Sequence, residues 1–371
     1  KNNTKKGKKE NTKKEHTIVQ LYGRFAIILG SLLVGLINLF IFKGVDESYA
    51  NINLLYGKIY LYALIIPAIS VLGIVLFDFL HKGETNSVDF KTTKLDYQIF
   101  LGSCTFAVFT VFFGTFNMPL SREIILLSSL LLIAVLMRLL IKDLKKEEQY
   151  TIVGTAIIIF VFRAMPSPGS GLNWFEIDVL GFNQSFFSLL SVVSALITLV
   201  GMITLRKVMM RMPLANLFID LSIFSSILYT PSLFMYYGLH NYTSFITNGL
   251  VDAKFIAILN TAVESPLAQV AMIPMLAWIA KNAPSKYKAT FFAVFASFTN
   301  LALSASALGT KYLNEIFTVT REVKDKVSGE IQTTADYSEL GILLIVVTLL
   351  TLILPILFVI IINNSKYKTS E

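Results

Sequence analysis

Two charged side chains lie deep inside apolar runs of this chain. Arg163 is the thirteenth residue of a run that opens at Thr151, roughly 18 Å along a helix at 1.5 Å per residue. A cation at that depth is costly, so it holds an anionic group in a water-filled path or pairs with a carboxylate to lock helices together. Glu264, in the run 254–280, is the second. A carboxyl there can exchange a coupling proton, or serve as the permanent partner of Arg163. Asn260 precedes Glu264 by one turn on the same face, and Ala257, Ala268 and Ala271 continue that small, polar stripe. Ser297, Asn300 and Ser304 form a second stripe, suited to a hydrogen-bonding wall or to close helix packing. Trp174, Phe175, Phe182, Phe186 and Phe187 crowd the outer end of the Arg163 run, with Glu176 and Asp178 among them. Most of these aromatics read as an interfacial belt, and Trp174 and Asp178 stay open as ligand contacts. Asp220, with Arg206, Lys207 and Arg211 in the preceding loop, reads as a structural latch.

The elements that must position these groups are membrane helices. Apolar residues make up 54% of the chain and charged ones 15%, too few charges to cover a soluble fold of this size. Runs near 24–43, 56–80, 97–117, 122–141, 151–172, 186–205, 214–238, 254–280, 290–312 and 341–363 are each long enough to cross a ~30 Å hydrocarbon core. They lack the alternation of a membrane barrel, so the fold class is all-α, with about ten transmembrane helices. Pro166 and Pro168 remove two backbone donors just after Arg163, and Gly169 and Gly171 follow. The helix must bend or break there, which is tolerated only against protein or a water-filled cavity. Pro266 and Pro274 bend the helix that carries Glu264.

Several chemistries have no residues to support them. The chain contains no G-x-x-x-x-G-K-[ST], so ATP is not the energy source, and neither H-E-x-x-H nor G-x-S-x-G occurs. No two deep aspartates are placed for intramembrane cleavage. The one cysteine, Cys104, excludes an intramolecular disulfide, and His16, His81 and His240 have no metal-ligand spacing. The chain therefore reads as neither an enzyme nor a protein with a metal or cofactor.

The net charge of +8 is not a nucleic-acid signal, because it sits in short loops on one side. Those loops hold Lys1 to Lys14, Lys82 to Lys94, Lys142 to Lys146, Arg206 to Arg211, Lys281 to Lys288, Lys366 and Lys368; the other side has fewer, including Lys43, Arg122, Lys254, Arg321 and Lys324. Such an excess marks cytoplasmic loops and places both termini in the cytoplasm. Residues 1–22 are basic, low in complexity and too polar to fold, suited to a disordered segment beside anionic lipid. Residues 23–80 carry two helices, 81–150 a linker with an extra helical hairpin turning at Pro119, and 151–371 six helices ending in a cytoplasmic tail. The loop 313–340 mixes both signs of charge and reads as a solvated flap.

Two stretches resemble the folate–biopterin transporter family of the major facilitator superfamily. RAMPSPGSGLNWFEIDVLGF, residues 163–182, is similar to the segment at and after that family's seventh helix, with its Pro-Ser-Pro, aromatics and Leu-Gly-Phe. Residues 264–313, from ESPLAQVAMIPMLAWIAKN onward, resemble its Pro-rich tenth helix, short basic loop and Ser/Asn-containing eleventh helix. The resemblance covers about 151–363 well and 24–80, as a fifth and sixth helix, less well. It implies that four helices of an amino-terminal bundle are missing from this chain and that the hairpin at 97–141 is additional to a twelve-helix plan. It also implies that Arg163, Asp178, Glu264 and Asn300 lie near a substrate path.

The expected function is secondary active transport of a small organic solute by alternating access, with substrate held between two six-helix bundles. A folate or pteridine is the expected substrate, Arg163 meeting its carboxylate and Glu264 handling a proton as in a symporter. Arg163, Asp178, Asn260, Glu264 and Asn300 are the expected substrate-binding residues. The alternatives are a sugar, amino-sugar or peptide permease of the same superfamily, or a non-transporting membrane scaffold. The expected partners are the solute, a coupling proton and the lipid bilayer, and the expected location is a bacterial inner (plasma) membrane.

Overall fold

Runs of about twenty apolar residues satisfy their backbone groups internally as helices, and that is the form they take. The computed structural model describes residues 2–42, 49–80, 97–116, 118–283, 288–325 and 330–369 of the 371. The opening of the expected linker, through residue 96, lies outside the described residues, as does Lys286. In chain order the helices are α1 (Asn2–Phe42), α2 (Tyr49–Ala63), α3 (Ile65–Leu80), α4 (Tyr97–Thr115), α5 (Ser121–Ile141), α6 (Lys146–Arg163) and α7 (Ser170–Asp178). They continue with α8 (Gln184–Thr204), α9 (Arg206–Arg211), α10 (Leu214–Tyr236), α11 (Leu239–Ile246), α12 (Ala253–Asn282), α13 (Lys288–Ile316) and α14 (Leu340–Asn363). Among the described residues, eight helical stretches are long and apolar enough to cross a membrane. The other two of the ten expected spans, 97–117 and 151–172, are not among these eight; their helices are α4 (Tyr97–Thr115) and α6 (Lys146–Arg163), the second ending well short of 172. The chain is an all-α, multi-pass integral membrane protein.

Three features differ from the sequence reading. Residues 2–22, expected to be disordered, continue α1 without a break. Lys, Glu and Gln are good helix formers, and an apolar helix already nucleated downstream extends through them at little cost. The loop 313–340, expected as a solvated flap, contains a two-stranded antiparallel ribbon of β1 (Val323–Lys324) and β2 (Ile331–Thr333), extended by a bridge between Thr320 and Asp336. Of the aromatics read as a belt, Phe175, Phe182 and Phe186 are buried in the protein. Phe182 and Phe186 pack with Met235, Ala253 and Ala257, because α8 returns directly against α12.

The described residues divide into two compact units. The smaller, Leu36–Ser121, holds α2, α3 and α4. Pro67 sits in the first turn of α3, where it cannot continue the ladder from α2, and the chain turns at Leu64. The larger, Lys1–Gly35 with Arg122–Glu371, contains most of α1, α5, and the helices α6, α8, α10, α12, α13 and α14 that correspond to the six expected over 151–371. Within it α10 packs on α14 and α12, α12 on α8 and α13, and α6 on α13 and α14. Ile159, Phe218, Ile273, Ile279, Phe291 and Phe295 form its centre. Gly201 of α8 faces Pro266 of α12 so closely that a β-carbon would overlap the rigid proline ring. The side chains of Asn183 and Asp252 cap α8 and α12, accepting from the amides of Phe186 at 2.9 Å and Phe255 at 2.8 Å.

Candidate functional site: a polar cavity beside a broken span

Helix α6 ends at Arg163, nine residues before the apolar run does, since the prolines that follow cannot donate. The chain then crosses residues 164–169 without helix and re-enters one at α7. Gly169 takes φ +77°, a left-handed conformation open to glycine, and a β-carbon there would press on Asn314. Helix α13 answers the backbone groups set free. Ser306 Oγ donates to the Met165 carbonyl at 2.6 Å, Thr310 Oγ1 accepts from the Ser167 amide at 2.9 Å, and Asn314 Nδ2 donates to the Pro168 carbonyl at 3.2 Å. The residues recur every four, so one polar face of α13 runs alongside the break. This is how non-helical backbone is accommodated inside a membrane protein.

On its other side the break faces a cavity of about 470 Å³ in the larger unit. Met165, Pro166 and Ser167 of the break form one wall. Helix α12 supplies a stripe of Ala257, Asn260, Thr261, Glu264, Ala268 and Ala271, and α10 supplies Ser225, Tyr229 and Ser232. Glu176 enters from α7 and Thr351 from α14. Asn260 Oδ1 and Thr351 Oγ1 are buried without a hydrogen-bond partner. Burial, with the like charge of Glu264 second, pushes the Glu176 carboxyl up to about 7; Glu176 belongs to α7, between the spans α6 and α8.

The outer face of α7 is built differently. Asp178 receives a bidentate pair from Arg321, Nε at 2.9 Å and Nη2 at 2.7 Å, and a third bond from Tyr337 Oη at 2.6 Å. Tyr236 Oη donates to the carbonyls of Tyr337 and Ser338, and Phe175 packs against the Tyr337 ring. The loop that carries the ribbon is thereby pinned onto α7. Burial alone would raise the Asp178 carboxyl, but the bonds from Arg321 and Tyr337 outweigh it and hold it below the usual carboxylate range. Burial and the bond to Asp178 push Tyr337 up to about 12.

The structure thus brings Asn260 and Glu264 together at the cavity. It places Arg163 beside the cavity rather than in its lining, with Nε donating to the Thr299 carbonyl of α13 at 3.2 Å. Among the described residues neither Arg163 nor Glu264 makes an ion pair. Asp178 is engaged by the loop. Asn300, like Ser297 and Ser304, is exposed on a different side of α13 from the residues that hold the break. Sequence reasoning did not single out Ser225, Tyr229, Ser232 or Thr351 and noted Glu176 only among aromatics. The 225–229–232 spacing on one face of α10 was the available signal.

These features define a polytopic membrane protein organised around a polar interior cavity. The BT1 family matches residues 68–370, and the chain belongs to that family, the folate–biopterin transporters. It is therefore a member of a family of membrane transporters. Comparison with curated proteins and with solved structures gave no match.

Proposed function

We propose that the protein moves a folate or pteridine across the membrane as a secondary active transporter, by alternating access, and that the cavity is the contribution of this six-helix bundle to the substrate path. The observation that carries the reading is the cavity itself, walled by a broken span and lined by carboxylates and unpartnered oxygens. Polar groups left in that condition are costly unless a ligand or water uses them. Its volume is in the range that encloses a small heterocycle. Asn260, Glu264 and Glu176 are the residues assigned to the ligand, and Glu264 is the group assigned to a coupling proton. The basic loops support an orientation with both termini in the cytoplasm.

Uptake of labelled folate and biopterin into proteoliposomes tests the reading. The expected result is accumulation above protein-free vesicles that a proton gradient enhances and that Glu264→Gln reduces at least tenfold. Equal uptake with and without protein for both compounds would overturn it.

A further inference from the structure

The cavity is unbalanced in its hydrogen-bonding chemistry. Two carboxylates, Glu176 and Glu264, face it, and neither is in an ion pair among the described residues. Asn260 Oδ1 is buried without a donor, and Thr351, 8% exposed, likewise leaves its Oγ1 unpartnered. Among the described residues no lysine, arginine or histidine lines the space. The nearest deep cation, Arg163, turns its Nε to a backbone carbonyl of α13 and lies outside the lining. Tyr229 and Ser232 carry hydroxyls that can donate or accept, so they do not settle the balance.

We infer that this cavity receives the donor-bearing edge of its ligand, the N–C–N edge of a 2-amino-4-oxopyrimidine ring with its ring N–H and exocyclic amino group, with Glu264 and Glu176 as the accepting carboxylates. The inference rests on the pteridine reading above and orients the molecule within it: the amino-pyrimidine end enters this bundle, and an anionic tail does not. A planar N–C–N edge presents two parallel N–H groups to the two oxygens of one carboxylate, and such charge-assisted pairs are short and directional. A carboxylate-bearing tail in the same place would meet acids instead of cations, with no lysine, arginine or histidine among the described lining residues to offset its charge. The break contributes to fit as well. Pro166 is fixed in the wall by the bonds from α13 on either side of it, so the slot is preset rather than moulded by the ligand.

The test compares pterin with lumazine, the same bicyclic ring carrying an oxo group in place of the 2-amino group, by titration calorimetry on the detergent-solubilised protein. Pterin is expected to bind at least tenfold tighter, because the oxo group turns an acceptor toward the carboxylates. Glu264→Gln and Glu176→Gln, each checked for unaltered helicity and monodispersity, are expected to weaken pterin by roughly tenfold to a hundredfold and to narrow its advantage over lumazine. If a Gln variant does not fold, the pterin-to-lumazine ratio in the unaltered protein decides alone. Equal affinity for the two compounds overturns the inference, and so does full pterin affinity in both folded Gln variants; folate uptake that persists in either case leaves the transport reading standing. If neither pteridine binds, 2-amino-4-oxopyrimidine, the monocyclic ring with the same edge, is the probe: binding lost in the Gln variants upholds the donor-edge site and overturns the pteridine reading, whereas no binding, or binding that persists in both folded Gln variants, overturns the inference.

Discussion

Glu176 and Asp178 stand two residues apart on one short helix and face environments of opposite kind. At 100° per residue they project from nearly opposite sides of α7. Asp178 meets an arginine and a tyrosine that fill its lone pairs; Glu176 meets a cavity containing another carboxylate. The loop that covers α7 is thus fastened by a saturated acid, while the inner side of the same helix presents an unsaturated one. A satisfied carboxylate holds structure together. An unsatisfied one beside buried, unpartnered oxygens is tolerated for what it can bind.

Removing the inner pair is the largest test of that contrast. The double variant Glu176→Gln, Glu264→Gln is expected to retain its helical content and lose uptake of pteridine in vesicles by two orders of magnitude or more. Uptake within threefold of the unaltered protein would show that the inner acids are as structural as the outer one.

The second test attacks the backbone that frames the cavity. Ser306→Ala with Thr310→Ala leaves the Met165 carbonyl and the Ser167 amide without their partners on α13. Each orphaned group costs about 1–3 kcal/mol, so the pair should cost about 2–6 kcal/mol in denaturant-induced unfolding. An unchanged midpoint would mean that the break is held by something other than α13.

The acids should also respond to pH in opposite directions. Asp178 is held below the usual carboxylate range, so its contribution to stability is present above that range and is lost as pH falls through the lowered value. Tyr337, pushed up to about 12, stays protonated across the neutral range, so the clamp is intact from about pH 5 to pH 8. Glu176, raised to about 7, contributes stability that is present below the ordinary carboxylate value and lost as pH rises through about 7. Ligand that requires its ionised form should bind fully above that pH and more weakly below it, with Glu264 and Tyr229 the other titratable groups facing the cavity. Hydrogen exchange in segment 317–339, followed with pterin affinity between pH 5 and pH 8, separates the two: affinity should move while exchange does not.

Much of the fold was legible because length and apolarity suffice to mark a helix that crosses lipid. The break was legible too, since Pro166 and Pro168 cannot donate and Arg163 cannot sit in hydrocarbon unassisted. The site was legible in part. Asn260 and Glu264 share a face by spacing alone, whereas Glu176 reaches the cavity from α7, a separate short helix that starts after the break, and no periodicity announces that. Arg163 attracted attention as the deepest cation, yet its neighbour across space is a backbone carbonyl of Thr299, which no side-chain pattern reveals. The useful signal lay in the least apolar spans. Helices α10, α12 and α13 are the three least hydropathic of the eight, and they wall the cavity or hold the break. The more apolar stretch Leu55–Leu76 is long enough to cross a membrane but carries no such groups.

The smallest expected effect isolates the outer clamp. Tyr337→Phe removes the 2.6 Å bond to Asp178 and keeps the ring against Phe175 and both bonds from Arg321. Asp178 retains two charge-assisted partners, so the loss should be about 0.5–1.5 kcal/mol, the net worth of one hydrogen bond. It should appear as faster exchange of amides in 317–339, with pterin uptake changed by less than twofold because Tyr337 does not line the cavity. A large fall in uptake would tie the outer loop to the inner site and end the division of labour across α7. Unaltered exchange would instead place the fastening in the Arg321 pair and in the bonds from Tyr236, which hold the same stretch of chain from below.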